Sequence, residues 1–262
     1  MPVSSIIELG NHSLAAIFSS SVVALLIGSE IGHLIGLRAA EEANVTTLEA
    51  AIFGLLALMI SFTFAMALTR FDERRVAVLN EANAIGTAAL RARLLPAPQR
   101  AESLKLFREY VAVRLGITQH EPSPSEIRAA VVRSNQIQDA LWLRAKMVME
   151  KDSGMVPTGL YIQALNEMFD NRQKRLTAYL NRVPNIVFLA LYGIAFVAIA
   201  FAGYSSGTEG RRWRLPVYTV SILVAGVILL ILDIDRPGAG FVSVSQQPLI
   251  DTANAITSHL SE

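Results

Sequence analysis

The sequence contains no cysteine, which excludes disulfides and thiolate chemistry. Charge is scarce: Asp, Glu, Lys and Arg make up 17% of 262 residues, where a soluble domain carries about 25%. The deficit is local, because four long segments are almost free of charge and most charge lies between them. HExxH, a paired set of metal-binding histidines, a nucleophile elbow and a Gly-rich phosphate loop are all missing, so no enzyme, cofactor or metal site is indicated. No Lys or Arg occurs between Met1 and Glu8. A signal-peptide n-region is therefore lacking, and the first apolar stretch is expected to be a retained anchor. No period-2 alternation is long enough to suggest a sheet.

What is present is apolar and helical. Ala50 to Thr69 is an uncharged run that leads directly into Arg70-Phe-Asp-Glu-Arg-Arg75. At about 1.5 Å per residue the run covers roughly 30 Å, the thickness of a bilayer core. No Pro lies between Ala50 and Leu95, so one long rod is expected to leave the membrane near Arg70 and continue into water. The other spans are placed at Leu14–Leu37, Pro184–Tyr204 and Leu215–Leu232. The expected fold is all-α: a polytopic membrane protein with four transmembrane helices and a helical soluble domain inserted between spans two and three. Its parts are a first hairpin (1–70), the helical domain (71–183), a second hairpin (184–236) and a tail with a short helix (237–262). The connections at 38–49 and 205–214 lie on one side, and the N-terminus, the middle domain and the tail on the other.

Within the middle domain Leu104, Phe107, Val111 and Leu115 recur at helical spacing, as do Ile162, Leu165, Phe169, Leu176 and Leu180. Pro96-Ala-Pro98 ends the long rod. Ser123-Pro-Ser-Glu126 reads as a capping box with Pro at the first helical position, and Asp152 to Pro157 reads as a loop. The helix before Pro184 is expected to run on into the third span with a kink. The domain holds 17 of the 23 Lys and Arg residues against 12 acids. That excess is either a solvated helical surface or one suited to anions or an acidic membrane surface, and it is too dilute for nucleic acid. Basic residues flanking the spans on the domain side favour a cytoplasmic domain by the positive-inside rule.

Several groups stand out. Ala16, Ser20, Ala24, Gly28, Gly32 and Gly36 place a small residue at every fourth position of span one. Such stripes permit close backbone approach in lipid, either within a hairpin with span two or between subunits. Phe53, Ile60, Phe64 and Phe71 fall on one line of the second rod. They are either a lipid or core face, or the hydrophobic constriction of a pore. Glu30 and His33 sit one turn apart near the exit of span one, where an ionisable pair marks a pathway or snorkels to the interface; Glu8 and His12 repeat the pairing at its start. A polar motif combines Arg74, Arg75, Asn80, Glu81, Asn83 and Thr87 with Asp233, Asp235 and Arg236. Asn80, Asn83 and Thr87 are expected to form a buried hydrogen-bonded seam beside Gly86, and Asp233 or Asp235 to pair with Arg74 or Arg75.

The F-D-E-R-R exit of span two, the N-E-A-N-A-I-G-T stretch from Asn80 to Thr87 leading to R-L-L-P96, and the D-I-D-R-P segment from Asp233 to Pro237 with Pro248-Leu249 beyond it resemble the bestrophin-like family of membrane proteins (DUF4239) over nearly the whole chain. The resemblance implies a multi-pass protein of a bacterial inner membrane. Through its likeness to bestrophins proper it implies a homo-oligomeric anion channel with a hydrophobic neck on the second span, which falls on Phe53, Ile60 and Phe64. The partners expected on this basis are the lipid bilayer, further copies of the chain and inorganic anions. A non-conducting scaffold or sensor whose helical domain binds a partner is the alternative.

Overall fold

The computed structural model describes residues 13–39, 45–117, 123–151, 156–208, 214–238 and 240–260. The Glu8/His12 pair, residues 152–155, residues 40–44 of the connection at 38–49 and residues 209–213 of that at 205–214 lie outside the described residues. Those described form eight α-helices and no strand. In chain order they are α1 (Leu14–Arg38), α2 (Thr46–Ala92), α3 (Gln99–Gly116), α4 (Pro124–Lys151), α5 (Val156–Leu180), α6 (Asn185–Thr208), α7 (Leu215–Asp235) and α8 (Gln247–Leu260).

Local chemistry explains their limits. Ser13 caps α1, its hydroxyl accepting the Ala16 N–H. The capping box of α4 is present: Ser123 Oγ accepts from the Glu126 N–H at 3.2 Å, and the Glu126 carboxylate accepts from the Ser123 N–H at 2.7 Å. The long rod is one 47-residue helix, α2, about 70 Å long, and it ends before Pro96 and Pro98. Two boundaries differ from expectation. Val156 and Pro157 belong to the first turn of α5, where Pro lacks only an N–H that has no helical partner. The helix before Pro184 does not run on with a kink. Residues 181–184 are non-helical and α6 starts anew at Asn185, because Pro disfavours the helical region for the residue before it.

The described chain divides into two units. One comprises the chain to Arg70, Arg182–Arg236 and Gly240–Val242; the other comprises Phe71–Asn181, Pro237–Ala239 and Ser243–Glu262. In the first, α1, α2, α6 and α7 are long and apolar enough to cross a membrane. Here α1 packs on α6 and α7. Gly28 faces Phe196, Gly32 faces Ala200 and Gly36 faces Tyr204. The numbers rise together, so α1 and α6 run parallel.

The second unit has a continuous apolar core. Ile85, Ala88 and Ala92 of α2 meet Phe107, Tyr110 and Val111 of α3, Ile137 and Leu141 of α4, Tyr161, Leu165 and Met168 of α5, and Leu249 and Ile256 at α8. Phe107 and Tyr161 stack edge-on, with centroids 6.4 Å apart. The core line of α3 falls where periodicity puts it. On α5 it is rotated: Tyr161, Ala164 and Met168 join Leu165 in the core, while Leu180 is exposed.

Candidate functional site

The features singled out by sequence lie on α1, on α2 and at the end of α7. The glycine half of the α1 stripe is buried against the chain's own third span. A Cβ on Gly32 or Gly36 would collide with the backbone carbonyl oxygen of Ala200 or Tyr204. Gly203 and Gly207 of α6 answer in kind, lying against the carbonyl oxygens of Ser29 and His33. This is small-residue packing from both sides, which lets the dispersion contacts of two backbones replace a hydrophobic driving force absent in lipid. The partner of these glycines is α6, whereas the sequence reading considered span two. The outer half of the stripe, Ala16, Ser20 and Ala24, is exposed.

Glu30 does not pair with His33. Its carboxylate accepts from Arg214 Nη1 at 2.6 Å and from the Tyr218 hydroxyl at the start of α7. His33 is buried and its Nδ1 has no hydrogen-bond partner. At the same end of this unit, the Glu49 carboxylate of α2 accepts from the Ser205 hydroxyl of α6.

Along the apolar half of α2, Leu56, Thr63 and Ala67 are buried. Phe53, Ile60 and Phe64 are half-buried, as is Phe71 where the helix enters the second unit. More open side chains lie elsewhere on the helix, among them Leu55 (48% exposed), Leu58 (51%) and Phe62 (61%). At about 100° per residue, Phe62 points roughly 160° from Phe64. Of the four candidate spans, α2 is the least covered: 17% of its most apolar stretch is buried, against 28% to 33% in the others.

At the far end of α7 two aspartates organise the backbone. Asp233 is buried and accepts the N–H groups of Phe241 (2.9 Å) and Val242 (3.0 Å). Asp235, also buried, accepts the Val183 N–H at 3.0 Å. Gly240 has φ +149° and its missing Cβ would strike Asp233 Oδ1, so glycine is required there by conformation and by space. Arg236 is half-buried.

In the second unit, Arg74 is buried and Arg75 is exposed. Glu81 is fully buried between two arginines that sequence reasoning did not connect to it. Arg114 Nε of α3 donates to Oε1 at 2.8 Å, and Arg175 Nη1 of α5 donates to Oε2 at 2.5 Å. Arg175 also donates to Gln246 Oε1 at 2.9 Å. Burial pushes the Glu81 carboxyl up, but the two guanidiniums and their hydrogen bonds outweigh it and hold the pKa below the ordinary 4.5. Burial first, and the like charge of Arg114 after it, press Arg175 below its ordinary value against the pull of Glu81; a guanidinium remains charged all the same. Tyr110 is pushed up to about 12, by burial first and by the Glu81 charge second.

The expected buried seam of Asn80, Asn83 and Thr87 is instead an open groove. Asn80 and Asn83 are exposed and Thr87 half-buried. With Gln163, Asn166 and Asp170 of α5 they line a cavity of about 730 Å³. The polar residue in this stretch that is buried is Glu81, on the opposite side of the helix. Gly86 contributes nearness to α8, where Thr252 Oγ1 donates to the Ala82 carbonyl at 3.3 Å.

Comparison with known proteins agrees with this architecture. The model of the Bestrophin-like domain matches residues 15–249. Among solved structures, a bacterial bestrophin homologue from Klebsiella pneumoniae superposes with a TM-score of 0.67 at 16% identity, covering 95% of this chain and 97% of that one. A substituted form of the same homologue gives 0.68 at 15% identity, with coverage of 95% and 97%. A structure described as a membrane protein gives 0.65 at 16% identity, with coverage of 92% and 97%. Among curated proteins none matches. An all-helical membrane architecture with four apolar spans and a family model matched from the first span to the start of α8 lead to one conclusion: the chain belongs to the bestrophin-like family.

Proposed function

We propose that the chain assembles into a homo-oligomeric ion channel, conducting anions, whose pathway is lined by the second span. The observation that carries this reading is the exposure of α2. It is the least covered of the four candidate spans among the described residues, and Leu55, Leu58 and Phe62 present an open apolar line along it. A helix that borders a pore in an assembly must leave one face uncovered by its own subunit. A bulky apolar ring on that face closes a narrow path by dewetting.

The line read from sequence, Phe53, Ile60, Phe64 and Phe71, and the exposed line cannot both face water. The half-buried line is the less open of the two, which favours Phe62 over Phe64 as the constriction. The unit built on Phe71–Asn181 is read as the extramembrane domain, on the cytoplasmic side. Its charged surface supports this, with Arg133 paired to Glu109 and Arg144 to Glu102. Its excess of Lys and Arg suits anions. The test is ion flux from liposomes holding the purified chain, with native mass measured in the same detergent. Anion flux from a species larger than a monomer is expected; a monomer without flux at any pH or salt overturns the reading. The open polar groove beside Asn80 and Asn83 favours a second reading, a non-conducting scaffold or sensor, which predicts an oligomer without flux.

A further inference from the structure

The end of α7 holds a feature that conduction does not require. The apolar run of this helix stops at Leu232, and its last turn carries Asp233 and Asp235. A carboxylate buried at the edge of an apolar span needs hydrogen-bond donors. Asp233 finds them in the backbone of Phe241 and Val242. The chain that leaves the helix at Arg236 is thereby drawn back to within one side-chain length of the span. Gly240 lets the backbone pass over the carboxylate, with a φ of +149° and no Cβ to collide with Asp233 Oδ1. The result is a fixed presentation of the next side chain. Val242 is half-buried, while the Phe241 ring is 87% exposed, the most open of the described large apolar residues.

An apolar ring held this way, beside the last turn of a membrane-crossing helix, lies at the depth where the acyl chains meet the headgroups. Aromatic side chains gather there because that layer accepts an apolar face beside polar backbone. We infer that Phe241 is an interfacial anchor whose partner is the lipid surface, and that Asp233 and Gly240 are the residues that position it. The inference depends on α7 crossing the membrane and not on conduction.

The absence of cysteine makes a direct test available. A Phe241→Cys variant of the full chain, the only thiol in the protein, is spin-labelled and reconstituted in phosphatidylcholine–phosphatidylglycerol vesicles. Labels at Leu223→Cys, in the apolar run of α7 and exposed, and at Ser243→Cys calibrate depth. The label at 241 is expected to collide with oxygen at least twofold more, relative to a water-soluble nickel chelate, than the label at 243. A 241 label that favours the nickel chelate lies in water and overturns the inference. An immobilised label reached by neither reagent is covered by protein, a second copy included, and overturns it as well. Should labelling at 241 disturb the loop, Phe241→Trp in a Trp142→Phe, Trp213→Phe background serves instead. Lipids brominated near the headgroup are expected to quench its emission by half or more, and unquenched emission sinks the idea. Adding Gly240→Ala to either variant is expected to reduce the lipid signal.

Discussion

Glu81 of α2 and Arg114 of α3 form a buried ion pair, Nε to Oε1 at 2.8 Å, with Arg175 of α5 on the other carboxylate oxygen. Three helices distant in sequence are pinned through one carboxylate. Removing the acid leaves two guanidiniums buried without a counter-charge. Glu81→Ala is therefore expected to destabilise the helical unit by about 3–5 kcal/mol. Exposed pairs such as Arg133 and Glu109 contribute about 0–1 kcal/mol, so Glu109→Ala is the control. Denaturation of both variants in one detergent measures the difference; equal effects would show that the triad is not holding the unit.

The same triad gives the unit an acid limit. The Glu81 pKa is lowered by folding, so the native state binds its proton less readily than the unfolded chain. Its contribution is complete above the ordinary carboxylate value of 4.5 and is lost as pH falls below 4.5 toward the lowered folded value. Denaturation midpoints are expected to fall through that acid window in the parent more steeply than in Glu81→Gln. Parallel curves in the two proteins would refute the assignment.

The glycine seam of α1 and α6 is tested by single methyl groups. Gly32→Ala and Gly203→Ala put a Cβ against a backbone carbonyl that cannot rotate away, forcing the helices apart at about 1–3 kcal/mol. Gly54 and Gly226 have open space where a Cβ would stand, so alanine there is expected to be neutral or slightly stabilising. Thermal midpoints of the four variants decide this. A neutral Gly32→Ala would mean that the seam does not have the described spacing.

Gly240 is expected to be equally intolerant for a different reason. Gly240→Ala sets a β-carbon on the Asp233 carboxylate and strains a φ of +149°. Asp233→Ala removes the acceptor of two N–H groups, each charge-assisted bond being worth about 1.5–3 kcal/mol. Hydrogen exchange at Phe241 and Val242 is expected to speed up in both variants, with no change at Glu81. Unchanged protection in both would refute the role given to Asp233.

Flux separates the two apolar lines of α2. Phe62→Ala is expected to raise anion flux several-fold if the exposed line borders the pathway, with Phe64→Ala and Phe53→Ala changing it little. The reverse order would restore the half-buried line as the constriction. Silence in all of them, with an intact oligomer, favours the scaffold reading.

The linear sequence determined the all-helical class, the four apolar spans and the long rod of α2. Each is local: hydropathy over a bilayer length, helical periodicity, and caps such as Ser123 with Glu126 are written in contiguous residues. The small-residue stripe and the two aspartates after Leu232 were legible as motifs for the same reason. Which surface answered them was not. Only tertiary packing sets Gly32 against Ala200, since a GxxxG-like face fits any helix that offers small residues in return. Only packing joined Glu81 to Arg114 and Arg175, because an ion pair between remote residues leaves no local signature. Packing likewise turned Asn80 and Asn83 outward while burying Glu81 between them in sequence, as a helix does when neighbouring positions differ by 100°. The exposure of Phe62 relative to Phe64 has the same origin: both are phenylalanines in one apolar helix, and only the subunit's own core decides which of them it covers.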